Sequence, residues 1–370
     1  MSPGSSSNLA QRSYALFACE SEPALIVKSI VAVEAADLPT DIRVYGDPGF
    51  DYSLLSKPAT ATESRYLTLF RNTPRNATSV DAIVGVLSDW KLTGATIGIE
   101  MEDLPSQLKN ELSLALPQAR LKDCSNLIRL IRAVKTQSEI DLLSRAAEIA
   151  EQAAREGLAL VRVGGRAHDL VQHFRSRVAD QGAAFDHFSF SLSGMGICTG
   201  PDYVFRPDDI LFIDYGCIFS SYFSDTGTTL ALSDPPPELA RRHSALRSCI
   251  EAGERVMRPG VEASSIQKTM SEALKDSGIT DSFPHGHGMG LELRDYPILV
   301  PANGCEIRDD CVAVNSDLTL EAGMVINLEA PLFMPLAGAL QVEKTFVVTS
   351  DGCRELVPQD RSRPYLAAKT

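Results

Sequence analysis

Four acidic residues interrupt strand-like apolar stretches of this 370-residue chain. They are Asp214, Asp225, Glu329 and Glu343. Turns predicted at Ser220-Ser221 and at Pro335 to Gly338 make each pair a β-hairpin, in which both carboxylates can face the same side. Burying an isolated carboxylate costs many kcal/mol, and no arginine interrupts these four strands. A cluster of divalent cations is the physical alternative for compensating the charge.

The histidine that completes this set lies in a glycine-rich segment. His285 and His287 flank Gly286 in the run Pro284 to Gly290, where small residues let the backbone approach its neighbours closely. Four carboxylates and one imidazole suit paired Mn, Fe, Co or Zn ions that share bridging carboxylates and a hydroxide. The residues therefore predict a dinuclear metal site and leave the choice among these metals open.

Two similar helix–helix–strand–strand halves are predicted to position these residues. The long helices are predicted over Glu139 to Leu158, after a Thr136–Glu139 capping box, and over Glu238 to Met257. Each is followed by a shorter helical stretch between two glycines 18 residues apart, 164 and 182 in one copy and 260 and 278 in the other. Ser-Gly-Met-Gly at 193–196 and His-Gly-Met-Gly at 287–290 then occupy equivalent places. This repeat predicts two ααββ halves related by a pseudo-twofold axis, with one shared sheet.

The first third of the chain is predicted to be a separate small α/β domain. Strand-like runs such as Ile42 to Tyr45 alternate with helical periodicity such as Val80 to Trp90. No G-x-G-x-x-G turn or P-loop occurs there, so we expect a shape-giving or dimer-forming domain and no nucleotide site. The boundary is predicted near Ser125 to Lys135, giving an accessory domain over 1–130 and a catalytic domain over 131–370 of an α/β (α+β) protein.

Composition restricts the partners and the compartment. The 35 Lys and Arg face 48 Asp and Glu, and the formal net charge of −13 argues against binding to nucleic acid or to an anionic membrane surface. No apolar run approaches the roughly 20 residues of a membrane span, and Met1 to Asn8 does not look like a signal peptide. The eight cysteines form no C-x-x-C pair and are expected to be mostly buried free thiols. We therefore predict a soluble cytoplasmic protein.

The order Asp, Asp, His, Glu, Glu resembles that of the pita-bread metallohydrolases, which include aminopeptidase P, prolidase, methionine aminopeptidase and the metal-free creatinase. The similar segments are Phe212 to Gly216, Ser224-Asp225, His287 to Gly290, Gly323 to Pro331 and Gln341 to Glu343. The similarity spans about 137 to 350. It implies a pita-bread catalytic domain after a creatinase-like accessory domain, and homodimers formed through that accessory domain.

The resemblance also implies a role for each ligand. Asp214 would chelate the first metal ion, His287 and Glu329 would bind the second, and Asp225 and Glu343 would bridge both. Two divalent ions are expected, with manganese as the first choice and iron, cobalt or zinc as alternatives. They would activate a bridging water whose proton Glu329 shuttles, for attack on an amide carbonyl. The implied function is metal-dependent hydrolysis of a C–N bond in a small peptide or amino-acid-like substrate, as by a Xaa-Pro dipeptidase or aminopeptidase.

The accessory histidines of the family's peptidases are absent from their expected positions. Arg294 stands seven residues after His287, where those peptidases carry a histidine that contacts the scissile carbonyl, and Asp295 follows it. Phe283 stands four residues before His287, where another histidine is usual, and His285 is a candidate replacement. The set of histidines that handles protons in the family's peptidases is therefore altered in this chain.

Further candidates for substrate contact lie before the first metal strand. The loop from Ser193 to Asp209 contains no histidine where the family's peptidases carry one, and His187 lies just before that loop. Arg206, within the loop, is a candidate for the pocket wall, with a surface position as the alternative.

Two hypotheses account for the altered set. In the first, the enzyme hydrolyses a C–N bond, and Arg294 pairs with a carbonyl or carboxylate of the substrate because an arginine cannot act as an acid near neutral pH. In the second, the metal centre performs other chemistry on a small carboxylate, as the similar dimethylsulfoniopropionate lyases do, with Asp295 or Tyr222 as the base. Asp295 and Tyr222 are also candidates for substrate binding. A non-catalytic metal-binding protein is a third, weaker alternative, because all five ligands are present.

Overall fold

The structure, a computed structural model, describes residues 12–46, 60–72, 75–102, 104–192, 200, 202–334 and 338–367. The chain divides into two compact units, Met1–Ser125 and Asn126–Thr370. This division lies beside the predicted boundary. The Ser-Gly-Met-Gly segment at 193–196 and most of the predicted turn at 335–338 lie outside the described residues.

The first unit is built from two small sheets with helices between their strands. Its strands are β1 (Tyr14–Ala18), β2 (Ser21–Lys28), β3 (Asp41–Tyr45), β4 (Arg75–Asn76), β5 (Thr96–Ile99) and β6 (Arg120–Asp123). Its helices are α1 (Ala32–Ala35), after a 3-10 turn at Ser29–Val31, then α2 (Ala61–Asn72), α3 (Ser79–Asp89) and α4 (Ser106–Ala115). Strands β2, β3 and β4 are parallel, as are β5 and β6. The predicted α/β character is confirmed.

The second unit contains the two predicted halves. After α5 (Ser125–Ala133), the first half comprises α6 (Gln137–Leu158), α7 (Ala167–Asp180), β7 (Ala184–Ser191), β8 (Ile210–Phe219), β9 (Tyr222–Phe223) and β10 (Thr226–Ala231). The second comprises α8 (Pro237–Val256), α9 (Ala263–Asp276), β11 (His285–Gly288), β12 (Asp295–Leu299), β13 (Glu306–Arg308), β14 (Ala313–Asn315), β15 (Val325–Met334), β16 (Gly338–Val348) and β17 (Cys353–Glu355). Strand β18 (Tyr365–Leu366) pairs with β10 of the first half.

The local signals that predicted these helices have the expected geometry. Thr136 and Glu139 form the capping box at the start of α6, with Thr136 N donating to Glu139 Oε2 over 2.8 Å. Gly182 and Gly278 follow α7 and α9 in equivalent places, with φ of 78° and 75°. Because this left-handed region favours glycine, the repeated glycines mark the same helix ends in both copies.

The predicted single shared sheet is wrong. The strands form two five-stranded sheets, one ordered β18-β10-β8-β7 with β9 on β8, the other β12-β11-β15-β16-β17. The sheets meet at β10 and β16, where the Thr229 hydroxyl accepts from Gln341 N (2.9 Å) and donates to Gln341 O (3.0 Å). A threonine side chain thus takes the place of the backbone partner that a continuous ladder would supply.

The helices cover one face of each sheet and leave the acids on the other. On β8, Ile213 and Tyr215 are buried in the same apolar cluster as residues of α6 and α7. On β15, Leu328 and Ala330 are buried in the same apolar cluster as residues of α8 and α9. Because side chains alternate along a strand, the acid between each pair faces away from the helices.

The remaining predictions concern the turn, the thiols and membrane spans. Ser220 and Ser221 join β8 to β9 with φ of 48° and 73°, as expected for a two-residue hairpin turn. No disulfide joins the seven described cysteines, but the expectation that most are buried is wrong, since three are buried, three are exposed and Cys353 is intermediate. In the described part of the chain, no helix has the length and apolar character to cross a membrane.

Candidate metal centre

The strand register brings the four predicted acids together. Asp214 lies in β8 and Asp225 between β9 and β10, whereas Glu329 and Glu343 pair directly across β15 and β16. Asn327 of β15 donates from Nδ2 both to the Asp225 carbonyl (3.0 Å) and to Glu343 Oε1 (2.8 Å). This side chain therefore ties the acids of the second half to the backbone of the first.

Gly227 makes room for the Glu343 carboxylate. It lies opposite Asp214 in the β8–β10 ladder. A Cβ atom at this position would be 2.5 Å from Glu343 Oε2, well inside van der Waals contact. Because any side chain here would fill the space of the carboxylate, glycine is required at the point where the two sheets meet.

The carboxyl of Glu343 is buried among like charges. The residue is 1% exposed, and its second oxygen accepts from Gln341 Nε2 over 2.8 Å. Burial, together with repulsion from the other three carboxylates, raises the pKa of Glu343 well above its ordinary value, although the bond from Gln341 acts in the opposite direction. Protein hydrogen bonds alone thus leave this anion poorly stabilised.

The carboxylate of Asp214 is also destabilised by its surroundings, although less than that of Glu343. Burial, with repulsion from Asp225 and Glu329, raises the pKa of Asp214 to about 6, while contact with His187 opposes the shift. The pKa of two of the four acids, Asp214 and Glu343, is thus raised by burial and by acidic neighbours, and such a site is one that a divalent cation neutralises.

His287 presents one ring nitrogen to this cluster. The residue is 2% exposed, and its Nδ1 lies 2.9 Å from the Gly288 carbonyl, to which it can donate. Its Nε2 lies 3.4 Å from Asp225 Oδ2 and 3.7 Å from Glu329 Oε1, and it has no hydrogen-bond partner among the described residues. A buried, unpaired nitrogen between two carboxylates fits a metal ligand, as predicted.

His187 also belongs to the cluster, which the sequence did not indicate. From β7, its Nε2 reaches Asp214 Oδ1 (3.0 Å) and Asp225 Oδ1 (3.3 Å), and its Nδ1 lies 2.7 Å from Asp186 Oδ2. Burial lowers the pKa of this imidazole, but the contacts with the three aspartates outweigh it and raise the pKa to about 12. The prediction of substrate contact for His187 therefore gives way to a position beside the predicted ligands. The apolar and polar residues between Phe185 and Phe190 predict a strand, but they do not indicate which strand pairs with it.

His285 and Arg294 flank Glu329. His285 Nε2 lies 2.9 Å from Glu329 Oε1, its Nδ1 lies 3.0 Å from the Phe283 carbonyl, and its ring stacks on that of Phe283 at 5.6 Å. Arg294 Nη2 lies 3.9 Å from the same Glu329 oxygen, with 65% of its side chain exposed. Both predicted residues thus lie beside the predicted proton shuttle, one partly buried and one facing solvent.

Two other candidates are engaged elsewhere. The Tyr222 hydroxyl donates to Glu139 Oε1 over 3.1 Å. Asp295 has a completely buried side chain whose Oδ2 accepts from Arg132 Nη2 over 3.2 Å. Because a buried, ion-paired carboxylate offers no surface to a substrate, this arrangement argues against the predicted role of Asp295 in substrate binding or as a base.

Arg206 lies on the exposed loop before β8. Its backbone N–H donates to Asp209 Oδ2 (2.7 Å), and its guanidinium lies over the ring of Tyr203 at 5.8 Å. These contacts correspond to the surface alternative, and no described contact joins Arg206 to the acidic cluster.

Sequence reasoning missed a buried ion pair behind the metal strand. Arg361 Nη2 lies 2.9 Å from Glu151 Oε2, which also accepts from the Tyr215 hydroxyl over 2.6 Å. Tyr215 follows Asp214 on β8 and points to the helical side of the sheet. The pair therefore supports the strand from which Asp214 projects. No local pattern marks it, because Glu151 and Arg361 are 210 residues apart.

The comparisons with known proteins agree with this site. Residues 141–350 match the sequence profile of metallopeptidase family M24. The match covers more than half of the chain, and the chain belongs to this family. The predicted resemblance is confirmed, and the protein is an enzyme of the metallopeptidase class of hydrolases.

Similar proteins are peptidases at low identity. A Xaa-Pro dipeptidase of Pyrococcus furiosus is 25% identical over 247 residues, which are 65% of this chain and 67% of that protein. An uncharacterized peptidase of Staphylococcus haemolyticus is 26% identical over 270 residues, 71% of this chain and 73% of that protein.

Solved structures confirm the pita-bread fold. A Xaa-Pro dipeptidase from Bacillus anthracis superimposes with a TM-score of 0.75 at 20% identity, covering 96% of this chain and 89% of that one. An X-Pro aminopeptidase from Thermotoga maritima gives a TM-score of 0.72 at 21% identity, covering 96% and 88%.

Proposed function

We propose that this protein is a dinuclear metal-dependent hydrolase that cleaves a C–N bond in a short peptide, with the specificity of a Xaa-Pro dipeptidase. The observation that carries the proposal is the convergence of four carboxylates, three of them buried and that of Asp214 partly buried, with the unpaired Nε2 of His287. The relatives named Xaa-Pro dipeptidase support the substrate class.

We assign the ligands as the family order suggests. Asp214 would hold the first ion, His287 and Glu329 the second, and Asp225 and Glu343 would bridge them. Bound divalent ions would supply a hydroxide near neutral pH and a Lewis acid for the carbonyl oxygen. Manganese is the ion we propose. Iron, cobalt and zinc are alternatives, because all four metals accept carboxylate and imidazole ligands.

Glu329 and His285 are the proposed proton-handling pair. Glu329 would take the proton of the attacking water, and His285 Nε2 lies 2.9 Å from its Oε1. This contact is within the distance needed for proton transfer between positioned groups. The histidine two residues before His287 would thereby replace the one that the family's peptidases carry four residues before it.

Arg294 is the proposed substrate-binding cation. Its guanidinium is mostly exposed, yet lies 3.9 Å from Glu329 Oε1, so it can pair with a carboxylate entering from solvent. A dipeptide offers such a carboxylate next to its scissile bond. The second hypothesis, other chemistry on a small carboxylate, lacks comparable support, because its candidate bases Tyr222 and Asp295 bind Glu139 and Arg132.

The test is hydrolysis of a dipeptide panel by the manganese-reconstituted protein. The panel pairs each Xaa-Pro member with its Xaa-Ala counterpart, and bound manganese is quantified in the same samples. Cleavage restricted to the Xaa-Pro members is expected. Two bound ions without cleavage of any member would refute peptidase function and direct the search to other small carboxylates.

Two matched variants test whether metal binding and hydrolysis depend on the proposed ligands. Asp225→Ala removes a proposed bridge, so we expect fewer than one ion per chain and no hydrolysis. Asp276→Ala, an exposed acid at the end of α9, should retain both. Two ions bound to Asp225→Ala would show that the ligand assignment is wrong.

The homodimer and the cytoplasmic location stay predictions. Light scattering on the purified protein tests the former, and fractionation of cells tests the latter.

A further inference from the structure

We propose that His187 is a sixth protein ligand of the metal centre, so that each of the two metal positions receives one imidazole. His187 would bind the ion held by Asp214 and Asp225, as His287 binds the other. The family order implies five ligands, and His187 is not one of them. The inference rests on the proposed dinuclear function.

The position of Nε2 is the first argument. It lies 3.0 Å from Asp214 Oδ1 and 3.3 Å from Asp225 Oδ1. Ligand atoms of these three residues all lie within 4.8 Å of one another, as donors around a single cation do. Metal–ligand bonds of about 2.0–2.2 Å from such donors require only small inward movements.

The other ring nitrogen supplies the second argument. A metal-bound histidine usually donates its remaining N–H to a carboxylate or carbonyl, which fixes the ring and leaves the opposite nitrogen free for the ion. His187 Nδ1 has such a partner in Asp186 Oδ2 at 2.7 Å. His287 Nδ1 has one in the Gly288 carbonyl at 2.9 Å. Both rings thus present Nε2 to the cluster.

Asp225 lies between the two rings. Its Oδ1 is 3.3 Å from His187 Nε2, and its Oδ2 is 3.4 Å from His287 Nε2. One histidine therefore approaches each oxygen of the carboxylate assigned as a bridge. An ion on either side of Asp225 would find one imidazole, supplied by β7 on one side and β11 on the other.

The backbone beneath His187 is shaped to accept the ring. Gly216 pairs with His187 across β7 and β8. A Cβ atom at Gly216 would lie 2.1 Å from the Ser224 carbonyl oxygen, 2.6 Å from His187 Cε1 and 3.0 Å from its Nδ1. The close approach of the Ser224 backbone already requires glycine here, and the same absence of a side chain leaves the space that the imidazole occupies.

The competing explanation is that His187 acts only as a counter-ion, as imidazolium, and leaves the cluster when metal binds. The two roles differ in what the metal contacts. A ligand adds a nitrogen to the first ion, which favours cobalt and zinc over manganese. A counter-ion competes with every divalent ion alike.

The test compares His187→Gln with wild type and with His168→Gln, an exposed histidine on α7. Affinities for Co²⁺, Zn²⁺ and Mn²⁺ are measured by competition with a chromophoric chelator, and imidazole ligands of the cobalt-loaded protein are counted by X-ray absorption. We expect His187→Gln to weaken one of two sites by more than about 100-fold for Co²⁺ and Zn²⁺ and less for Mn²⁺, with the imidazole count falling from two to one per pair of ions.

A second variant keeps the imidazole. Asp186→Asn removes only the charged partner of Nδ1, and we expect about 10- to 100-fold weaker binding at the same site. This result tests the role of His187 even if His187→Gln does not fold.

The outcomes separate the two proposals. Unchanged or tighter metal binding in His187→Gln, or an unchanged imidazole count, would overturn the ligand role while leaving the dinuclear site intact. Failure of the wild type itself to bind two ions would instead overturn the proposed function.

Discussion

The buried carboxyl of Glu343 makes the stability of the metal-free protein depend on pH. Its pKa is raised well above 4.5 by burial and by the neighbouring carboxylates, so the fold holds a proton that the unfolded chain releases above pH 4.5. The free energy of unfolding should therefore fall as the pH rises above 4.5. One proton corresponds to about 1.4 kcal/mol per pH unit, or as much as about 2.7 kcal/mol between pH 5 and pH 7.

Glu343→Gln removes this linkage with little change in volume. The amide does not titrate, but its N–H group takes the place of an oxygen that accepts from Gln341 Nε2 or Asn327 Nδ2, so one of these amides has to turn its own oxygen toward residue 343. Gln341 Oε1 and Asn327 Oδ1 are buried without a hydrogen-bond partner among the described residues. We expect the metal-free variant to match the wild type at pH 5 and to exceed its stability by up to about 2.7 kcal/mol at pH 7.

Divalent metal should reverse the order of stability. Wild type gains about 4.1 kcal/mol from one site when the free ion is at 1,000 times its dissociation constant, which exceeds its deficit of up to about 2.7 kcal/mol at pH 7. Glu343→Gln lacks the proposed bridging carboxylate and should gain far less. If Glu343→Gln stabilises the metal-free protein and removes the stabilisation by metal, Glu343 is a metal ligand that lowers the stability of the metal-free fold.

The assay is urea unfolding at pH 5, 6 and 7, with and without metal. Far-UV circular dichroism is the suitable probe, because the single tryptophan, Trp90, lies in the first unit. Glu321→Gln, an exposed acid before β15, is the matched control and should follow the wild type at every pH. If the free energy of unfolding depended on pH in the same way in wild type and in Glu343→Gln, the proton responsible would not be the one on Glu343. A less stable metal-free variant at pH 7 would refute the reasoning.

Three further substitutions test the surroundings of the site. Arg294→Ala should raise KM about tenfold, the effect of one charged hydrogen bond of about 1.5 kcal/mol, with metal content unchanged; an unchanged KM would remove it from the substrate site. His285→Gln should lower kcat by about 100-fold or more with both ions retained, since it removes a proton-transfer partner; an undiminished kcat would exclude that role. Arg361→Ala removes the buried cation from Glu151, which keeps its bonds to the more exposed Arg155 and to the Tyr215 hydroxyl, and should lower the free energy of unfolding by about 1.5–3 kcal/mol, whereas the exposed Arg363→Ala should change it by less than about 0.5 kcal/mol. Equal denaturant midpoints for the two arginine variants would contradict the importance of the buried pair.

Much of the fold was predictable because its signals are local. Capping at Thr136 and left-handed glycines at 182 and 278 depend on a few neighbouring residues, so the helices of both halves were predicted to within a few positions of their observed ends. The continuous sheet was predicted wrongly because β10 and β16 are joined by side-chain hydrogen bonds, such as those of the Thr229 and Thr345 hydroxyls, and not by a backbone ladder. Apolar periodicity records which face of a strand is buried, but not which strand lies beside it.

The same distinction applies to the site. The sequence by itself determined the acids and His287, because a carboxylate within an apolar strand is costly wherever that strand packs. Only the tertiary structure decided that His187 reaches the acids, since the register of β7 on β8 places it opposite Gly216. Tertiary contacts also decided that the side chain of Asp295 is buried and pairs with Arg132. Burial cost is a property of the single chain segment, whereas the partner of a polar side chain is fixed by segments far apart in sequence.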